Sequence, residues 1–102
     1  MREVYITGKM VKMVFDMVDY HIVTLFNRGV QVSVSVNDVA INVELNVFRG
    51  RSVTLSLNIY PNDFYEKYKY IDELISTLCV TDSYDALVKA KGELKQIFSA
   101  YV

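Results

Sequence analysis

The sequence predicts a two-layer α+β domain, an antiparallel sheet of three to four strands with about three helices on one face. Three observations carry this reading. From Val30 to Pro61 nearly every second residue is Val, Ile or Leu, the period of two that a half-buried strand requires. The segments on either side repeat their apolar residues at about 100° per residue, the period of an amphipathic helix. The chain has 102 residues, 52% of them hydrophobic and 23% charged, which is enough for one core without disulfides or metal. Residues 1–102 therefore read as a single domain.

The strands come first. Val30, Val32, Val34 and Val36 alternate with Gln31, Ser33 and Ser35. Asn37 and Asp38, which tolerate positive φ, read as a two-residue turn pairing Val36 with Val39. That register sets Val34 opposite Ile41 and Val32 opposite Val43. A longer turn, Phe48 to Ser52, uses Gly50 for its bend and pairs Val47 with Val53, Leu45 with Leu55 and Val43 with Leu57. The apolar residues of all three strands then share one face. On the other face the same registers predict the rows Gln31–Glu44–Ser56, Ser33–Asn42–Asn58 and Ser35–Ala40–Tyr60. That face is small and polar, with Glu44 its only charge and no aromatic before Tyr60 on which a nucleic-acid base could stack.

Gly8 to Asn27 reads as the first helix, with Val11, Val14, Phe15, Val18, Ile22, Leu25 and Phe26 on one side and Lys9, Lys12, Asp16 and Asp19 opposite. Gly29 supplies a left-handed stop. After the sheet, Pro61 blocks the strand and Asn62 or Asp63 can cap a second helix, whose stripe is Phe64, Tyr68, Ile71, Leu74, Ile75 and Leu78. Thr81 or Asp82 can cap a third, carrying Leu87, Ala90, Leu94, Ile97, Phe98 and Tyr101 past a weak point at Gly92.

An internal similarity appears at an offset of 53 residues, the separation of Ile6 and Ile59. It aligns Phe15 with Tyr68, Val18 with Ile71, Asp19 with Asp72, Ile22 with Ile75, Thr24 with Thr77 and Leu25 with Leu78. A duplicated strand-helix unit would make Glu3 to Thr7 a fourth strand. Two amphipathic helices aligned on their stripes would also match at the apolar positions.

Two surfaces exceed what one core needs. Met10, Met13, Met17 and Tyr20 flank the main stripe of the first helix and widen its apolar sector to more than half the circumference, so it must be covered on two sides. Either the third helix covers them within the chain or a partner does, and methionine suits an adaptable contact. Tyr65 and Tyr70 fall at the margins of the second helix, and tyrosine is enriched at interfaces.

The chemistry-bearing patterns are largely missing. The sequence has no glycine-rich phosphate loop and no Cys or His pair at metal spacing, and it places no Ser, His and acid set together. Asp16 and Asp19 share a helix side, but it is the solvated one beside Lys12. Cys79, the only cysteine, reads as a small buried hydrophobe of a reducing interior, with His21 far off in sequence. No catalytic, cofactor-binding or metal residue is assigned, and the expectation is a non-enzymatic protein without cofactors.

Eleven basic and twelve acidic residues give a net charge of -1, so nucleic acid or anionic lipid would need a local patch. Arg49 and Arg51 at a hairpin tip, with Lys89, Lys91 and Lys95, offer a weak one. No apolar run reaches membrane-spanning length and the N-terminal segment has no signal-peptide pattern, so the chain reads as cytosolic, uncleaved and without a membrane partner.

The bias toward Val, Ile and Tyr, with two Gln, one His and one Cys, resembles that of small orphan proteins from hyperthermophilic archaea and the filamentous viruses that infect them. The resemblance covers the whole chain and implies a protein of the host cytoplasm that acts through contacts. It assigns no functional residue. The function expected is protein binding, with a partner polypeptide or a second copy held at the first-helix surface or at a sheet edge. Weak nucleic-acid binding through Arg49, Arg51 and the lysines is the second reading.

Overall fold

The computed structural model describes the backbone of residues 5–97 and the side chains of residues 5–94. The element order is α1 (Gly8–Asn27), β1 (Val30–Val36), β2 (Ile41–Val47), β3 (Val53–Ile59), a 3-10 turn (Pro61–Asp63), α2 (Phe64–Leu78) and α3 (Ser83–Ile97). The strands form an antiparallel sheet in the order β1-β2-β3, with the helices layered on its apolar face. Ile41, Val43, Leu45, Leu55, Leu57 and Ile59 are buried there, while Ser33, Glu44, Ser56 and Asn58 are exposed on the reverse face. The α+β architecture is the expected one, with three strands among the described residues.

The β2–β3 register agrees with expectation: Val47 pairs with Val53, Leu45 with Leu55 and Val43 with Leu57, around Gly50 at φ 75°. The first hairpin differs. Val36 pairs with Ile41 and Val34 with Val43, two residues away from the two-residue-turn register. No non-glycine residue among those described has positive φ, so Asn37 and Asp38 do not form a left-handed turn. Instead the Asn37 side-chain oxygen accepts from the amides of Val39 and Ala40, both at 2.9 Å, and the Asn37 amide donates to Ala40 O at 3.0 Å. Asparagine thus closes a four-residue loop with its side chain and leaves φ ordinary. A shift of two preserves which face each residue occupies. It does change the rows, which are Gln31–Asn46–Thr54, Ser33–Glu44–Ser56 and Ser35–Asn42–Asn58. Ala40 leaves the polar face for a buried place in the loop.

The polar face bonds to itself. Asn42 Nδ2 donates to Asn58 Oδ1 across its row and to Ser56 Oγ on the diagonal, each at 2.9 Å, and Thr54 Oγ1 donates to Asn46 Oδ1 at 3.0 Å. Short polar side chains reach each other at cross-strand spacing, which a longer set would not do without splaying.

Thr7 caps α1, its hydroxyl accepting from the Met10 amide at 3.2 Å. Gly29 ends the helix at φ 83°, with the Cβ of Arg49 where a side chain on Gly29 would sit. At the start of α2, Asp63 holds the N-cap position, yet its carboxylate turns back to accept from the Tyr60 amide at 2.9 Å. Asp82 caps α3, accepting from the Asp85 amide at 2.9 Å. The side chain of Ile97 and all of Phe98 and Tyr101 in the expected α3 stripe lie outside the described residues, as do Glu3 and Val4 of the expected fourth strand. Residues 5–7 form no strand; their tie to the sheet is the Ile6 amide donating to Asp38 O at 2.9 Å. Of the pairs aligned by the internal similarity, Val18 and Ile71 are both buried, as are Leu25 and Leu78, and Asp19, Asp72, Thr24 and Thr77 are all exposed, whereas Ile22 is exposed where its counterpart Ile75 is fully buried.

Candidate functional site

The decisive element is α1, because an apolar sector wider than half a helix leaves open which part is covered. The side chains turned to the sheet are Val14, Val18 and Leu25, all buried. α1 lies against β1 and beside α2, and His21 meets Cys79 at the end of α2. On a helical wheel Met10, Met17 and His21 fall on this α2-facing flank. Phe15, Ile22 and Phe26 fall on the opposite flank, turned away from α2 and toward the open side of β1.

This reverses part of the expectation. Met10 and Met17 are 5% and 6% exposed core residues, so they are not available to a partner, and the helix beside α1 is α2 rather than the third helix expected to cover them. Met13 is half-buried against the same core. The residues left in water are Phe15, Ile22 and Phe26, which the periodicity assigned to the core stripe. Phe26 is 54% exposed and its ring lies 5.4 Å from that of Phe48, itself exposed. Tyr20 is 83% exposed on the outer surface of α1 and stands edge-on to His21 at 4.8 Å, with Val23 also exposed on that surface. Tyr65 is exposed and meets Phe64 edge-on. Tyr70 is half-buried, its hydroxyl 3.5 Å from Ala90 O; burial, with the Glu93 carboxylate, pushes that phenol up from its ordinary pKa. The six tyrosine and methionine positions are therefore not one surface.

Beneath the exposed flank of α1 runs the edge of the sheet. Two bonds at the ends of the β1–β2 ladder, Phe48 N to Gly29 O and Asn37 N to Ala40 O, fix its phase. Antiparallel strands alternate, so odd-numbered residues of β1 bond to β2 and the backbone groups of Val32, Val34 and Val36 point away from the sheet. The same alternation carried to β3 turns Asn58 outward, and there Lys67 Nζ donates to Asn58 O at 2.8 Å. The β3 edge is thus met by a charged side chain of α2. β1 carries no charge and no proline, and Val36 and the nearby Val39 are exposed. Edges of soluble proteins are usually defended by charge, proline or a bulge.

Of the residues of the nucleic-acid reading, Arg49, Arg51 and Lys89 have partners within the chain, and Lys91 is exposed. Arg49 Nη1 donates to Asn27 O at 3.0 Å, and the Arg51 guanidinium stacks 4.7 Å above the Tyr84 ring. Lys89 faces Glu93 at 4.0 Å, and the Lys95 side chain lies outside the described residues. A groove of about 420 Å³ between α2 and α3 has Leu74, Ala86 and Ala90 in its lining, with the carboxylates of Glu73, Asp82, Asp85 and Glu93 outnumbering the one cation, Lys89, a balance that disfavours phosphate. No helix among the described residues is long and apolar enough to cross a membrane.

Sequence reasoning separated Cys79 from His21, and the fold joins them. Their Sγ and Nδ1 atoms are 3.7 Å apart. Burial raises the thiol pKa above its ordinary value, and the positive charge of Arg28 opposes this only in part. Arg28 sits there because its guanidinium donates to Leu78 O at 2.9 Å and to Thr81 O, tying the end of α1 to the end of α2. A protonated thiol at a helix C-terminus is poorly placed for nucleophilic chemistry, which needs the thiolate. Among the described residues no group of three His, Cys, Asp or Glu side chains is arranged to hold a metal ion.

Comparison with protein-family models, with curated proteins and with solved structures found no match to this chain.

Proposed function

We propose that this protein binds a partner polypeptide, which lies along β1 as an added strand beneath the outer flank of α1. The observation that carries the reading is the coincidence of two surfaces left uncovered among the described residues. Val32, Val34 and Val36 offer backbone donors and acceptors outward, and Phe15, Ile22 and Phe26 overhang the same side of the sheet. A strand added at such an edge gains main-chain hydrogen bonds, and its alternate side chains find apolar cover. The uncharged β1 favours an uncharged or alternating apolar segment over a basic one. Nucleic-acid binding has less support, because Arg49 and Arg51 are turned to Asn27 and Tyr84.

The phase of the ladder provides the test. Proline at position 34 removes a donor that points out of the sheet, whereas proline at position 33 removes one that bonds to β2. Val34→Pro is expected to keep the circular dichroism spectrum of the wild type and to lose the partner recovered from host extract. In the wild-type complex, hydrogen exchange should slow at the Val32, Val34 and Val36 amides. Light scattering on the purified chain identifies a second copy as the partner if it finds a dimer that Val34→Pro dissolves. Full binding by both Val34→Pro and Ile22→Lys would overturn the proposal.

A further inference from the structure

From Val30 to Val36, β1 reads Val-Gln-Val-Ser-Val-Ser-Val, and its alternation is the same from either end, with Ser33 at the centre. We infer, on the basis of strand addition at β1 as proposed above, that the added strand is β1 of a second copy of this chain, antiparallel to the first and related to it by a two-fold axis at Ser33. A two-fold interface sets one patch against itself, so the patch must complement its own reversal. About Ser33, Val30 meets Val36 and Val32 meets Val34, while Gln31 meets Ser35 and Ser33 meets its own copy. Valine lies beside valine on the face that carries α1, and short polar residues lie beside each other on the reverse face.

The backbone phase agrees with that axis. The outward-pointing groups of β1 belong to its even-numbered residues, and an axis at Ser33 pairs even with even. The Val30–Val36 and Val32–Val34 pairs are then hydrogen-bonded, and the two Ser33 residues form a non-hydrogen-bonded pair. Of the registers this phase allows, the one centred on Ser33 pairs all 7 residues of the strand.

Charge favours the same arrangement. β1 has no charged residue, so it meets no like charge when it pairs with itself, and a net charge of -1 leaves two copies little mutual repulsion. The nearest charged residues in sequence are Arg28 before the strand and Asp38 after it, both exposed. Antiparallel pairing brings the Arg28 end of each copy to the Asp38 end of the other, whereas a parallel pair would set like on like. Val32 and Val34 are only half-buried and Val36 is exposed, and the overhanging Phe15, Ile22 and Phe26 of two copies would close over that seam.

The test is sedimentation of the purified chain over a concentration series, joined to disulfide trapping in a Cys79→Ser background. The wild type is expected to double its mass as concentration rises, and Val34→Pro to stay monomeric. Ile22→Lys leaves β1 intact but turns a like charge toward each copy, and it should weaken dimerisation at least about tenfold. Ser33→Cys should cross-link on oxidation, since a non-hydrogen-bonded pair holds its Cα atoms about 4.5 Å apart, within the roughly 4.4–6.8 Å that a disulfide spans. Ser35→Cys should not, because the two copies of that position lie about 13 Å apart along the strand. Cross-linking by Ser35→Cys and not by Ser33→Cys would overturn the inference. A wild-type monomer at every concentration, with Val34→Pro losing a different polypeptide from host extract, would overturn the second copy and leave strand addition at β1 standing. A dimer that survives both Val34→Pro and Ile22→Lys would overturn the two together.

Discussion

The Lys67 ammonium lies 2.7 Å from the Asp63 carboxylate, one helical turn away, with the two side chains only 4% and 5% exposed. Neither charge is left to the pair alone. Asp63 also accepts from the Tyr60 amide, and Lys67 also donates to Asn58 O and lies 5.1 Å from the Tyr60 ring. The cluster fastens the end of β3 to the first turns of α2.

Removing one partner should cost far more than removing both. Asp63→Ala strands a buried ammonium and is expected to lower stability by about 3–5 kcal/mol in urea unfolding. Asp63→Leu with Lys67→Met should recover most of that loss, because burial then needs no charge compensation. Equal losses in the single and double variants would count against this account.

The two positive-φ glycines should respond differently. Gly50→Ala meets open space and suffers only the left-handed backbone, about 1 kcal/mol. Gly29→Ala carries the same backbone strain and also places its Cβ 2.7 Å from Arg49 Cβ, an atom close to the main chain that cannot swing aside. Its melting temperature should fall further than that of Gly50→Ala.

Ile22 and Ile75 occupy matching positions in the internal similarity and opposite environments in the fold. Ile75→Ala is expected to cost about 2–5 kcal/mol, the range for emptying a packed site. Ile22→Ala should stay within about 0.5 kcal/mol of wild type in the isolated chain. Similar losses at the two sites would contradict the orientation of α1.

Cys79 should react slowly. Burial favours its neutral thiol and wins over Arg28, so in the folded protein ionisation is displaced to higher pH. The associated stability is fully present below the ordinary thiol pKa and is lost as pH rises through the folded value. Alkylation rates measured against pH should therefore rise later for native protein than for protein in urea. A native profile at or below the unfolded one would refute this.

Local pattern sufficed where one answer buried the apolar set. The bounds of α1, the β2–β3 register and the Gly29 and Gly50 turns all followed from it. The β1–β2 register escaped because a slip of two keeps every valine on the same face, and only the Asn37 side chain decides between the alternatives. The covered side of α1 escaped because Met10 and Met17 are as apolar as Phe15 and Ile22; the position of α2 makes the choice. The Cys79–His21 contact left no sequence signal, being a product of how two helices meet. The burial of Lys67 was not legible either, since it depends on Asp63 and Asn58 O being placed around the charge.

The order of packing along the chain has a kinetic consequence. α1 leads into β1, β1 into β2, β2 into β3 and β3 into α2, and each of these neighbours in sequence is also a neighbour in space. Such short loops close at small entropic cost and favour rapid assembly. The seam between α1 and α2 is different, since Arg28 must reach Leu78 and Thr81 across the whole meander. That seam should form late in folding, and strengthening it would slow unfolding more than it would speed folding.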